Sequence, residues 1–386
     1  MRTLLPLATF ATCMLSPAHA QNTYEVLVNS RGTDAVHRYD TSGNFLGEFI
    51  ASGSGGLVGP EQVLFHPDGS VLVTGFGNNA IKRYDGLTGD YLGDFSSGYA
   101  LEAPSKMSIG PDSLIYVTQW GTVQQKVVRF DLAGNFVDEF TNIDTPNGLG
   151  HFWDAQGRFY LSVYGNGATG TVQRFAADGT FLDVFINSVI LQGPTDIWQE
   201  ASGDVLVQDW TVGNVLRYDS TGSYLGVYIS GLTNPEGHAF LPPNGDLLMG
   251  DWGEDAVHWF DNSGNALGYF TSGNGLTDPN GVYVREVLNT GSAENAAEDG
   301  TLTVMPNVGS GPFYMQLENS AGSSARFQVF DAVGRVVEDR ALQQAGSNGL
   351  RWRWVPGSQL APGRYTAMVR DGSSVLRAAI VLIDGR

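Results

Sequence analysis

The sequence predicts an all-β chain, and three observations carry that prediction. A segment of alternating apolar and polar residues recurs six times, starting at Val26, Val71, Ile115, Phe159, Val205 and Leu247, with spacings between 42 and 46 residues. The 51 glycines cluster with Asn, Asp and Ser between these segments, where turns need positive φ or side-chain capping. From residue 301 onward the composition changes and the charge balance reverses.

Each repeat reads as four short strands. A Pro-led strand such as "PEQVLFH" turns at "PDGS" into an apolar strand such as "VLVT". A Gly/Asn loop leads to a third strand such as "AIKRYD", and a turn such as "TSGN" to an outer strand such as "FLGEF". Four strands per unit at this period are the signature of a β-propeller. The first unit lacks its Pro-led strand, and the missing one stands at the other end as "DPNGVYVREV", residues 278–287. Pairing it with the strand near Glu25–Val28 closes a ring and removes free sheet edges. The expected fold class is therefore a six-bladed β-propeller, followed by a small Ig-like β-sandwich domain.

The stretch "GPEQVLFHPDGSVLVTGFGNNAIKRYD" resembles the NHL repeat, whose pattern runs Pro-x-Gly-(Ile/Val), a "DPDGN" turn, then "VYVAD-GNNRI". The resemblance covers residues 25–286. It implies a propeller related to the gluconolactonase and streptogramin lyase-like superfamily, and it is specific to fold rather than to activity.

The two ends read differently. "MRTLLPLATFATCMLSPAHA" has one Arg, a short apolar run and a small-x-small end, so residues 1–20 are expected to be a secretory signal. Its cleavage would remove Cys13, the only cysteine, leaving no disulfide or thiol chemistry. Residues 21–287 are assigned to the propeller, 288–300 to an acidic linker and 301–386 to a compact β domain. That last segment resembles the type A C-terminal sorting domain of the type IX secretion system, through Pro306-Asn307, "VFDAVGRVV" and "LAPGRYTAMV". It departs from the pattern in lacking a second Pro after Asn307 and in ending "IDGR". The resemblance implies export, with the tail as an address, the secretion machinery as a partner and the outer cell surface or the medium as destination.

Residues 21–300 hold 34 Asp and Glu against 11 Lys and Arg, a net of −23, whereas residues 301–386 hold 6 against 9. An acidic body repels phosphate backbones, which disfavours nucleic acid as a partner. No apolar run is long enough for a membrane-spanning helix, and a monomer is expected.

Two constellations could form a site. The residue after each leading Pro is Glu61, Ser105, Asn147, Thr195, Glu236 or Asn280, and the next position adds Gln62, Lys106 and Asp196. Such an oxygen-rich axial ring suits a hard cation, and Glu61, Asn147, Asp196, Glu236 and Asn280 are the candidate ligands for Ca²⁺. A wet, water-bridged ring of polar side chains is the alternative. "TPNGLGHFWD" resembles the Asn segment of gluconolactonases, while the His positions of the amidating and streptogramin lyases are not reproduced in the ring.

The second constellation follows the second strand of each unit. Phe76, Trp120, Tyr164, Trp210 and Trp252 stand in one phase, with Arg31 at that place in the first unit. Flat rings around one face could stack on a sugar or another planar ligand, and equally they could wedge between blades. The sequence thus reads as a secreted or surface binding protein for a glycan, peptide or protein ligand. The alternative is a divalent-metal-dependent lyase or lactonase at the axis, with Glu61, Asn147, Asp196 and Glu236 as ligands or base.

Overall fold

The structure is a computed structural model. It describes residues 23–165, 169–287, 301–305, 307–318, 324–331, 335–343, 350–357, 359–371 and 374–382. The expected signal (1–20), the linker (288–300) and Pro306 of the sorting-domain pattern lie outside the described residues.

Six four-stranded antiparallel sheets follow one another along residues 23–287. Blades 2 to 6 each begin with an inner strand: Pro60–Phe65, Pro104–Ile109, Gly148–Trp153, Pro194–Gln199 and Pro235–Leu241. The inner strand of blade 1 is Pro279–Val287, which pairs antiparallel with Thr23–Ser30 in a register that sets Val282 opposite Val28 and Arg285 opposite Glu25. Arg285 Nε donates to Glu25 Oε1 at 2.6 Å across this seam. The ring is closed as the sequence predicts.

Period-two alternation explains the packing. Both faces of the second strands are buried, as in Val26, Leu27 and Val28 of blade 1, so each blade has two apolar faces to cover. One core forms between each pair of neighbours: Leu27, Val36 and Ile50 of blade 1 meet Val63, Val73 and Tyr84 of blade 2. Val26, Val28 and Tyr39 meet Leu248, Val257 and Phe270 of blade 6, which completes the circle. Fully burying such a side chain stabilises by about 1.5–3 kcal/mol, so the ring is held by its interfaces as much as by its strand ladders.

The turns between third and outer strands lock blades together. Asp40 Oδ1 accepts from the amides of Ser42 and Asn44, both at 2.9 Å, and Asp131, Asp219 and Asp261 repeat the arrangement. This tight turn lets Gly43, at φ 81°, lie on the Phe270 carbonyl so closely that a Cβ would sit 1.8 Å from its oxygen. Gly89 meets Phe49 of the preceding blade in the same way, so glycine at this place is a packing requirement.

The tail forms two sheets. Thr301–Met305, Phe313–Glu318 and Leu350–Trp354 make one; the other holds Val308–Gly309, Ser374–Leu382, Gly363–Asp371, Ser324–Asp331 and Val336–Gln343. Leu302, Phe313, Met315 and Trp354 of the first share a core with Phe327, Val329, Val369 and Ile380 of the second. Among the described residues, no helix is long and apolar enough to cross a membrane.

Candidate functional site

The inner strands bring their side chains to the axis in layers, and strand register defines the layers. Pro60, Pro104, Pro194, Pro235 and Pro279 each pair with the last residue of the neighbouring strand, and in blade 4 that place belongs to Gly148. The first layer is therefore Glu61, Ser105, Leu149, Thr195, Glu236 and Asn280. Asn147, expected in this ring, is displaced from it. Its carbonyl accepts from the Tyr164 amide at 3.1 Å, the role that Gly59 plays for Phe76 and Gly193 for Trp210. Asn147 has φ 57° and sits at the rim before the strand begins, because the Pro of "TPNG" stands two residues early.

The axial layer is buried: Glu61 is 4% exposed, Glu236 5%, and Ser105 and Asn280 0%. Lys106, one layer down, reaches into it. Its Nζ donates to the Asn280 carbonyl at 2.9 Å and lies 3.5 Å from Glu236 Oε1, while Arg31 Nε donates to Glu61 Oε1 at 2.8 Å. A cation thus already stands against each of the two acidic side chains. Burial pushes the Glu236 carboxyl up to about 8 against the pull of Lys106, whose ammonium is held protonated by the surrounding acids against its own burial.

Asp196 faces the channel one layer down but is engaged elsewhere. Its Oδ2 accepts from His238 Nδ1 at 2.7 Å, and this contact outweighs burial to hold the carboxyl below its usual range. The five expected Ca²⁺ ligands therefore do not form one set. Asn147 is at the rim, Asp196 is paired with an imidazole, and a dication near Glu61 and Glu236 would meet Lys106. The donor set does not fit calcium.

Below Lys106 the channel widens into a cavity of about 340 Å³ lined by Phe152, Trp198 and Tyr283 together with His151, His238 and Asp196. The His238 ring lies on the Trp198 ring, with centroids 4.1 Å apart. An ionised Asp196 can only accept, so Nδ1 of His238 carries the proton of this bond. His151 Nε2 lies 2.7 Å from Ser108 Oγ, and burial lowers this imidazole to about 4, which keeps it neutral. Both histidines are hydrogen-bonded interior groups on inner strands. The pairs Asp196/His238 and Ser108/His151 lie 42 and 43 residues apart, one blade period, and that spacing is the signal that could have found them.

The aromatic positions come together on one face. The amides of Phe76, Trp120, Tyr164, Trp210 and Trp252 each donate to the residue just before an inner strand, at 2.8 to 3.1 Å, which places all five at the mouth above the first layer. Centroids are separated by 5.0 Å from Trp120 to Tyr164, 6.3 Å from Tyr164 to Trp210 and 6.0 Å from Trp210 to Trp252. The Arg31 guanidinium continues the arc, 4.9 Å from the Trp252 ring and 4.7 Å from Phe76. Every member is half-buried, so the rings pack against each other sideways and keep part of their surface in solvent. Arginines of the third strands pair with acids of their own blades: Arg83 with Asp68, Arg129 with Asp112 and Asp138, Arg174 with Asp183, and Arg217 with Glu200 and Asp204.

The class defined by this fold is the six-bladed β-propeller, and solved structures agree. A chain of a nidogen–laminin complex is similar, with a TM-score of 0.57 at 15% identity over 68% of this chain and 98% of that one. A protein of unknown function from Bacteroides caccae gives 0.53 at 17% identity, covering 68% and 98%. Virginiamycin B lyase from Staphylococcus aureus gives 0.50 at 13%, covering 68% and 88%. No protein-family model matches the chain, and no curated protein matches it.

Proposed function

We propose that this chain is an exported binding propeller whose aromatic-rimmed face receives a ligand with flat apolar surfaces, foremost a glycan and otherwise the exposed side chains of a partner protein. One observation carries this reading: five aromatic rings and Arg31 stand in a contact arc around a single mouth. Stacking on such rings contributes on the order of 1 kcal/mol per contact, and several contacts together give useful affinity without deep burial of the ligand. The acidic first layer beneath, tempered by Lys106 and Arg31, offers hydrogen bonds to hydroxyl or amide groups. A similar propeller found within a nidogen–laminin complex supports a binding role. The signal-like pattern of residues 1–20 and the tail's resemblance to a sorting domain support delivery to the outer surface or the medium.

Binding to a carbohydrate array and a panel of surface proteins, with wild-type and Trp120→Ala/Trp210→Ala protein, tests the reading. A loss of about 2 kcal/mol in the double variant is expected, from about 1 kcal/mol per stacked ring. Unchanged binding to the same targets would refute it.

A second reading rests on the Asp196–His238 pair. An imidazole oriented by a carboxylate at 2.7 Å and lining a cavity of about 340 Å³ is suited to move a proton in a lyase- or lactonase-type reaction. Turnover by wild-type protein that is lost in His238→Gln, with the aromatic face intact, would favour it over the binding role.

A further inference from the structure

We propose that Asp251, Glu254 and His258 form a site for a zinc-type divalent cation on the rim of blade 6. The segment "DWGEDAVH" builds it. Asp251 ends the strand Asp246–Asp251, the turn Trp252–Glu254 reverses the chain, and His258 lies on the returning strand Ala256–Phe260. His258 stands opposite Met249, which puts its ring on the same face as Asp251, diagonally across the pair.

The distances point to an ion. His258 Nε2 lies 3.5 Å from Asp251 Oδ2 and 3.3 Å from Glu254 Oε2, and the three candidate ligand atoms all fall within 4.8 Å of one another. Zinc bonds of about 2.0–2.2 Å in a tetrahedron separate neighbouring ligands by roughly 3.3–3.6 Å. These edges match that spacing and exceed an ordinary N–H···O bond. The Nε2 atom is moreover shut off from solvent and makes no hydrogen bond. A buried imidazole nitrogen set between two carboxylate oxygens, in ion-pair range of both and beyond ordinary hydrogen-bond length, stands where a metal ligand would.

The surroundings hold the ligands in place. Asp251, fully buried, accepts from the amides of Thr233, Asn234 and Gly253 at 2.7, 2.9 and 3.1 Å. Glu254 is fixed by the Tyr269 hydroxyl at 2.7 Å and by Thr233 Oγ1 at 3.1 Å. Outer bonds of this kind orient ligands around a metal. Blade 5 provides the internal comparison. Asp209 caps the same backbone there, accepting from Gln192 and Gly193, but Val212 and Leu216 stand where blade 6 has Glu254 and His258. Capping alone therefore does not call for the other two residues. Glu254 is the most exposed of the three at 29%, so the cluster is reached from solvent on its side.

The test is zinc titration of tag-free full-length protein by calorimetry, with native mass spectrometry for stoichiometry and Co²⁺ absorption for geometry. One equivalent of Zn²⁺ is expected, with the intense visible bands of four-coordinate Co²⁺. Glu254→Gln and His258→Gln should each weaken binding at least about tenfold, since even outer-sphere losses cost that much. His238→Gln should leave it unchanged. The exposed position of Glu254 makes its variant a safe second case should His258→Gln misfold by circular dichroism. Absence of stoichiometric zinc, or equal affinity in Glu254→Gln, would overturn the proposal.

Discussion

The ammonium of Lys106 stands 3.5 Å from the Glu236 carboxylate at the centre of the propeller, where neither meets solvent. The contact joins blade 3 to blade 6 across the axis, and the Asn280 carbonyl ties the same ammonium to blade 1. Where Glu236 is ionised, removing one partner leaves the other buried and unpaired, which costs about 3–5 kcal/mol. Lys106→Met should lower the unfolding free energy by that amount in urea titration above pH 8, where Glu236 is ionised. Adding Glu236→Gln should recover most of it; a double variant as unstable as the single one would deny the coupling.

Glu236 also sets a pH dependence. Its carboxyl holds a proton up to about 8 in the folded chain against an ordinary 4.5, so unfolding releases a proton between those values. Stability from this group is complete below 4.5 and is lost as pH rises through 8. His151 works in the opposite sense, because its lowered value costs stability only as pH falls below 6.5. The melting temperature should therefore drop between pH 6.5 and 8 in wild-type protein and stay nearly level in Glu236→Gln.

Arg31 serves both the rim and the axis, lying between the Phe76 and Trp252 rings while binding Glu61. Its side chain is 23% exposed, so Arg31→Gln should cost less than loss of a fully buried partner, about 2 kcal/mol. Denaturant unfolding measures it, and an effect below a few tenths would show that Glu61 finds another partner.

The seam between Thr23–Ser30 and Pro279–Val287 predicts where the chain can be cut. A protein ending at residue 300 should unfold cooperatively like the full-length propeller. One ending at residue 277 exposes the edge of blade 1 and the core around Val28 and should aggregate or melt broadly. Light scattering and calorimetry distinguish the two.

Much of this was legible in the sequence. Repeat spacing gave blade number, and the orphan strand at residues 278–287 gave the seam. The aromatic phase was visible, because the position sits at the same offset in every second strand. The axial ring was legible in five blades and misplaced in the fourth, where Pro146 attracts the alignment but Gly148 carries the register. Proline is a sequence landmark, whereas register depends on which carbonyl the next strand's amide chooses. The charge pairing at the axis was hidden for another reason. Lys106, Glu236 and Arg31 come from different blades and meet only through curvature, which no local pattern records.

The pairing of Thr23 with Val287 has a kinetic meaning. Partners separated by about 260 residues meet late, since loops of that length are slow to form. Blade 1 must therefore wait, three-stranded and with a raw flank, until almost the whole wheel has been laid down, and its final strand acts as the latch that turns an open arc into a rigid disc.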